Sequence, residues 1–331
     1  MVSKLLAVGA FASTTLAHGL VQSFLTDGTF NQGFLLDYYY QKQQGQKTPD
    51  VAGWYAENLD NGFIAPDAFS TADIICHKNA EPGTASAKVA AGGKVDFQWN
   101  TWPESHVGPV ITYVAPYTGD ASSIDKTSLK WVKIEEAGYD ASKKSWAAVD
   151  MISTNNTWTT TVPSTLKAGK YVFRHEIIAL HSAGQDNGAQ NYPQCVNIEV
   201  TGDGTELPDG VEGTKLYTPS DAGIKFDVYS SFDSYPIPGP KLMSGGGNGT
   251  PTTPGNGEQS EAPASSAPAA TSAAAKPSAT ATPSATATPS GGNGGDDGAL
   301  PESFTLDTFI AWLKKNAGTG GQKVRRHARE F

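Results

Sequence analysis

The sequence predicts an all-β domain, a sandwich or barrel of short strands, followed by a structureless linker and a short helical tail. Three observations carry this. Residues 18–243 hold short runs that alternate apolar and polar residues or are rich in β-branched and aromatic side chains, separated by Gly/Pro/Asn/Asp turns. No sustained helical period occurs among them. Residues 244–298 contain no Val, Ile, Leu, Met, Phe, Trp or Tyr. Such a stretch buries too little apolar area to offset the entropy of ordering it.

The first element is a leader. MVSKLLAVGAFASTTLA has Lys4, an apolar stretch from Leu5 to Ala12, and small Thr15 and Ala17 at the −3 and −1 positions of a cut, the pattern of a secretory signal peptide over 1–17. Cleavage there makes His18 the first residue of a secreted, extracellular chain. Export also sets the redox compartment, so Cys76 and Cys195, the two cysteines of the chain, are expected to form a disulfide. Closing so long a loop stabilises by roughly 4–5 kcal/mol on the chain-entropy account. Asn155 and Asn248 begin N-x-Thr sequons and are expected glycosylation sites.

Strand signals follow in order. Val95, Phe97 and Trp99 alternate with polar neighbours, the period of a half-buried strand. VGPVITYVA (107–115), WTTTV (158–162), KYVFRHEIIAL (170–180) and CVNIEV (195–200) are further strands. The loops before Cys76 and after Val200 are longer than connection requires, which marks them as functional or mobile.

The linker repeats ATATPS at 279–284 and 285–290, and its Ser/Thr beside Pro reads as an O-glycosylated stalk. Residues 299–331 form a separate extension. Leu306, Phe309, Ile310 and Leu313 follow an amphipathic helical spacing, and the segment ends in KVRRHAREF. Three of the chain's four arginines lie in those last residues. The whole chain carries a formal charge of −9, which argues against a nucleic-acid partner. No apolar run outside the leader approaches a membrane span.

Several chemistries are excluded by missing motifs. There is no G-x-S-x-G elbow and no H-E-x-x-H. Glu104, Asp150, Glu176 and Asp227 qualify for glycoside hydrolysis only by being acidic. Among the six histidines His18 is a different signal. An N-terminal histidine offers its α-amine and ring Nδ1 to one metal ion. The amine has a reference pKa near ~8, so a cation can displace its proton. One more imidazole completes a nearly planar three-nitrogen set, a geometry that favours Cu(II).

His106 lies in TWPESHVGPVITYVA. With NGFIAPDAFSTADIICHK (61–78), VAAGGKVDFQWNTWPESHVGP (89–109), RHEIIALH (174–181), GAQNYPQCVNIEVTG (188–202) and SYPIPGP (234–240), the chain closely resembles the fungal lytic polysaccharide monooxygenases of auxiliary activity family 9. The resemblance spans nearly all of 18–243. It implies an immunoglobulin/fibronectin-like β-sandwich with long loops and one copper ion per chain. By that resemblance His18 and His106 are the histidine ligands and Tyr192 the axial tyrosine. Gln190 and His181 match residues that hydrogen-bond oxygen species at the metal, and Tyr235 matches a substrate-facing aromatic. Gln190 and Tyr192 are two apart, which in an extended segment puts both on one face. His175 competes with His181 for its role, but His181 fits the family's ALH…GAQ spacing.

The implied reaction is oxidative cleavage of cellulose, crystalline or amorphous, with other β-glucans also possible substrates. Hydroxylation at C1 and/or C4 uses O2 or H2O2 and electrons from a small molecule or a partner enzyme, and the protein is expected to be a monomer. Tyr38, Tyr39, Tyr40, Trp54 and Tyr55 are further candidates for a flat binding face. The competing readings are a non-catalytic copper- or carbohydrate-binding protein on the same scaffold and a conventional glycoside hydrolase.

Overall fold

In a computed structural model of the chain, residues 19–58, 62–247 and the backbone of 250–251 are described. The leader, His18, Asn248 and the C-terminal extension lie outside those residues, as does the linker beyond Pro251. The strands in chain order are β1 (Val21–Thr26), β2 (Thr29–Gln32), β3 (Ala87–Ala90), β4 (Lys94–Trp99), β5 (Val110–Pro116), β6 (Lys130–Ala137), β7 (Tyr139–Asp140) and β8 (Ser145–Trp146). They continue with β9 (Thr157–Thr161), β10 (Gly169–Ala179), β11 (Gln190–Thr201), β12 (Val211–Glu212), β13 (Leu242–Gly247) and β14 (Thr250–Pro251). One large sheet has the order β14-β9-β4-β1-β2 and the other β12-β6-β5-β10-β11-β3 with β13 alongside β6, while β7 and β8 form a separate two-stranded ribbon. The fold is therefore a β-sandwich.

The β1–β2 hairpin turns on Asp27-Gly28, whose φ values of 47° and 80° are both left-handed. That is the Asp-Gly signature of a two-residue turn whose twist matches the strands. The Asp27 carboxylate then ties the hairpin to its neighbours, accepting from Lys94 N at 2.8 Å and Ala90 N at 3.0 Å.

Two apolar layers result. Phe24, Val95, Phe97, Trp99, Val114, Phe173, Ile177 and Ile198 fill the space between the sheets. A second layer, with Trp54, Ile74, Ile75, Ile111, Trp131, Ile178 and Leu180, lies on the outer face of the larger sheet beneath the long loops. This explains why β10 shows no alternation: both of its faces are covered, and nine consecutive residues from Tyr171 to Ala179 are buried. The two long loops are thus packing elements for the second layer.

That layer also encloses charge. Arg174 and Glu176, two apart on β10 and both fully buried, pair at 2.7 Å. Arg174 donates further to Ile75 O at 2.8 Å and Ile74 O at 2.9 Å, docking the short helix Asp73–Cys76 on the sheet. The expected Cys76–Cys195 disulfide fastens the same helix to β11.

Two differences from the sequence reading have clear causes. A helix over Leu36–Gln43, numbered α1 here, was not expected; it buries no residue, so it carries no apolar stripe to detect. Strand pairing also continues past residue 243, where composition draws the domain edge, because β13 and β14 join the sheets through backbone groups of Gly- and Ser-rich sequence.

Candidate metal centre

His106, His181, Gln190 and Tyr192 converge at one end of the sandwich, where β10 stops, β11 starts and β5 starts. Register pairs Ala179 with Gln190 and Ile177 with Tyr192 across β10–β11, and Ile177 with Val110 across β10–β5. His106 sits on the loop leading into β5, and His181 on the loop leaving β10. The loops are held together by Leu180 N donating to Val107 O at 2.8 Å and Ile178 N to Pro109 O at 3.2 Å. Gly108 makes this closeness possible, since a Cβ there would fall 1.8 Å from Ile178 O.

The imidazoles of His106 and His181 stack with centroids 4.2 Å apart and planes tilted by 35°. Burial, with His181 beside it, pushes His106 down to about 4. Burial also lowers His181. Both rings are therefore neutral at neutral pH and keep a lone pair. His106 Nδ1 lies 3.1 Å from Ser105 Oγ, which leaves Nε2 as the nitrogen with no partner among the described residues. His181 Nδ1 is buried and also lacks a partner among them. Tyr192 is buried, and burial raises its phenol well above the ordinary value, so it stays an O–H donor. That hydroxyl donates to Gln190 Oε1 at 2.8 Å.

Neutral imidazoles with open nitrogens beside a phenol suit a borderline-soft cation such as copper. Among the described residues no three His, Cys, Asp or Glu side chains converge. The nitrogen set expected from the sequence includes His18, which lies outside the described residues. Its covalent neighbour Gly19 is buried against Trp102, and Trp102 stands edge-on to His106 at 5.8 Å. The donor chemistry at the site thus fits a copper ion held by few nitrogens.

Other candidates fall elsewhere. His175 is fully buried between the sheets, stacked on Phe97 at 4.0 Å with Thr112 Oγ1 on its Nδ1 at 2.9 Å. His77 is buried with Nε2 2.6 Å from Gly62 O. Trp54 and Tyr55 are core residues: the indole N–H donates to Asn197 Oδ1 at 2.7 Å and the phenol to Glu57 Oε1 at 2.7 Å. Tyr38, Tyr39 and Tyr40 lie on α1, and of these Tyr40 is exposed. Tyr235 is half-buried, its ring 4.9 Å from Trp146 and 5.1 Å from Phe226, and its hydroxyl donates to Gly223 O at 2.6 Å. Glu176 is occupied by Arg174, and Asp150 accepts from Ser145 Oγ at 2.9 Å. Asn155 is exposed, as a glycan acceptor requires.

Two residues escaped the sequence reading. Trp102 touches several parts of the site, yet it lies within the quoted TWPESH segment as one aromatic among many. Tyr229 is 80% exposed, the most open of the large hydrophobic side chains among the described residues. Its segment packs on the loop that follows His181: Phe226 N donates to Ala183 O at 3.1 Å. A tyrosine in a Ser/Asp-rich stretch with no strand period was the available signal.

Comparison with known proteins gives a consistent result. The model of auxiliary activity family 9, formerly GH61, matches residues 18–235. The AA9 family lytic polysaccharide monooxygenase cel61B of Hypocrea jecorina is 53% identical over 244 residues, 73% of this chain and 98% of that protein. A relative from Gibberella zeae, AA9 family lytic polysaccharide monooxygenase A, is 49% identical and is covered end to end, with 98% of this chain and 97% of that protein aligned. That alignment therefore extends into the C-terminal segment. The solved structure of the glycoside hydrolase family 61 member Cel61B from Hypocrea jecorina aligns with a TM-score of 0.66 at 54% identity, covering 68% of this chain and 100% of that one. The extended catalytic domain of H. jecorina LPMO9A aligns with a TM-score of 0.65 at 44% identity, covering 73% and 96%.

Proposed function

The chain belongs to auxiliary activity family 9, and from that premise we propose that it is a secreted, monomeric enzyme that cleaves the β-1,4-glucan chains of cellulose by hydroxylation at C1 and/or C4, with one copper ion per chain. Family membership makes it a copper-dependent polysaccharide monooxygenase. The finer statements are the proposal: the substrate, the use of O2 or H2O2 with a small-molecule or enzymatic electron donor, and the residue roles. The observation that carries the residue roles is the pair of neutral imidazoles, His106 and His181, beside the Tyr192–Gln190 hydrogen bond, and the substrate class follows the family.

His18, through its amine and Nδ1, and His106, through Nε2, would hold the copper ion, with the Tyr192 phenol beside them. When bound, copper supplies the one-electron redox chemistry that activates the oxidant for attack on a sugar C–H bond. The protein residues position and protect. Ser105 holds the His106 ring through Nδ1, so that Nε2 keeps its direction. Tyr192, buried and protonated, fills the space beside the ligands and excludes water from it. Its hydroxyl fixes the Gln190 amide, and Gln190 and His181 together offer hydrogen bonds to an oxygen species. Tyr235, anchored through Gly223, contributes the accessible part of its ring to the substrate face.

The test is mass spectrometry of the products from cellulose incubated with copper-loaded protein, ascorbate and an oxygen source. Oxidised oligosaccharides are expected, and their masses and fragmentation report C1 or C4. Unoxidised sugars released in the presence of chelator would make the protein a hydrolase. Tight copper binding with no products would make it a binding protein.

A further inference from the structure

One indole touches three separate parts of the candidate centre. Trp102 is buried at 2% exposure and meets its neighbours edge-on: His106 at 5.8 Å and 84°, Tyr192 at 5.2 Å and 83°, and Trp99 at 5.6 Å and 71°. Its Nε1 donates to His106 O at 3.0 Å, so it grips the backbone of His106 as well as flanking the ring. Its own backbone is held, with Trp102 N donating to Asn156 Oδ1 at 3.0 Å.

The third contact is Gly19. A Cβ added there would fall 2.2 Å from Trp102 Cζ3 and 2.8 Å from Cε3, with Trp99 Cζ3 at 3.1 Å. The far end of a flexible side chain could give way, but these are atoms of a buried ring wedged between other aromatics. No side chain larger than hydrogen fits between the chain and the indole. The next residue is also tied down: Leu20 N donates to Asn100 Oδ1 at 2.9 Å, and Asn100 N returns to Leu20 O at 3.0 Å. The residue joined to the Gly19 nitrogen has its Cα within about 3.8 Å of that of Gly19. Whatever fixes Gly19 therefore fixes the backbone nitrogen to which residue 18 is joined.

We propose that Trp102 is a positioning residue of the copper centre: its indole is the platform that sets Gly19, His106 and Tyr192 at fixed separations, and position 19 is glycine because the backbone there must lie flat on that platform. The inference rests on the proposed role of His18 as a ligand. It adds a cause for the ligand geometry that the ligands themselves do not contain. A metal site needs its ligands held before the ion arrives, and here the holding group is an aromatic ring with no ligand atom directed to the metal.

The test uses Gly19→Ala, Trp102→Phe and the double variant, each produced with the natural leader so that His18 is the mature N-terminus. The double variant is a size swap, because phenylalanine removes the ring atoms that an alanine Cβ at 19 would strike. Cu(II) affinity by titration, the Cu(II) EPR spectrum and amide exchange at Leu20 in the metal-free protein are measured. Gly19→Ala and Trp102→Phe are each expected to weaken copper binding about tenfold or more and to change the EPR hyperfine splitting. Leu20 exchange should accelerate while amides in β10 and β11 stay protected. The double variant should recover affinity relative to Gly19→Ala. Should Gly19→Ala not fold, Trp102→Phe alone carries the test.

Wild-type affinity and spectrum in Trp102→Phe would overturn the proposal. So would a loss of protection spread over the whole domain with an unchanged spectrum, since that is a merely structural role. If the wild-type protein itself shows no three-nitrogen Cu(II) spectrum, the failure belongs to the ligand assignment and not to the platform.

Discussion

The Tyr192 hydroxyl donates to the Gln190 side-chain oxygen at 2.8 Å, and both side chains leave the same face of β11 beside the stacked imidazoles of His106 and His181. The amide therefore has one defined orientation, with its NH2 group turned outward from the phenol. Tyr192→Phe keeps the packing volume but releases the amide. Gln190→Ala removes the donor altogether. The expected result is a fall in the rate of oxidised-product release of about 10–100-fold for Gln190→Ala and a smaller fall for Tyr192→Phe. Equal, wild-type rates in both would show that the hydrogen bond has no part in turnover.

Processing gives a second prediction. One residue left before His18 converts the amine to an amide, which cannot chelate. Copper affinity and activity should both collapse in such a protein, measured by titration and product release. Full activity would remove His18 from the ligand set.

A third prediction concerns pH. Glu135 is fully buried between the sheets, accepting from Trp158 Nε1 at 2.9 Å, from Thr112 at 2.9 Å and from Thr160, with His175 as the nearby titratable group across Thr112. Burial holds its carboxyl up at about 7 against an ordinary 4.5. The folded state thus keeps a proton that the unfolded chain releases, and the associated stability is full below pH 4.5 and lost as pH rises to about 7. His175, pushed down by burial to about 3, acts in the opposite sense below its ordinary 6.5. Comparison with Glu135→Gln isolates the carboxyl. The unfolding free energy of wild type relative to Glu135→Gln should fall by up to about 3 kcal/mol between pH 4.5 and 8. A flat difference would mean that Glu135 titrates normally.

The disulfide offers a fourth. Cys76 and Cys195 are separated by 119 positions, and opening so large a loop should cost roughly 4–5 kcal/mol. A paired Cys76→Ser/Cys195→Ser variant is expected to melt about 10 °C or more below wild type by calorimetry. A change of only a degree or two would show that Arg174, already bonded to Ile74 O and Ile75 O, holds the helix unaided.

The exposed ring of Tyr229 gives the last. Its elbow is rigid: Tyr229 N donates to Asp227 Oδ1 at 2.9 Å and Ser230 Oγ to Asp227 O at 2.8 Å. A preset aromatic beside the His181 loop can stack on a sugar ring for about 1 kcal/mol. Tyr229→Ala should weaken adsorption to cellulose about five-fold while leaving the Cu(II) spectrum unchanged. Unaltered adsorption isotherms would assign the ring no substrate role.

Much of the strand content was legible because strands with one covered face alternate, as Val95, Phe97 and Trp99 do. β10, whose two faces are both buried, was legible instead from its run of β-branched and aromatic residues; α1, whose helix has no buried face at all, was not. The early aromatics show the same limit. Composition could not separate Trp54 and Tyr55, which pack inside, from Tyr40, which is exposed, because the difference lies in what the long loops cover.

Sequence alone determined the local relations. The two-residue spacing of Gln190 and Tyr192 and the pairing of the only two cysteines follow from near-neighbour geometry or simple counting. Tertiary structure alone decided that Trp102 underlies both Gly19 and Tyr192, that Glu135 is linked to His175 through Thr112, and that Arg174 and Glu176 are buried as a pair. These contacts join residues far apart in the chain, or set burial on a face that alternation does not describe. They depend on strand register and on which loop covers which sheet. Those are set by the packing of the whole domain, so no local period carries them.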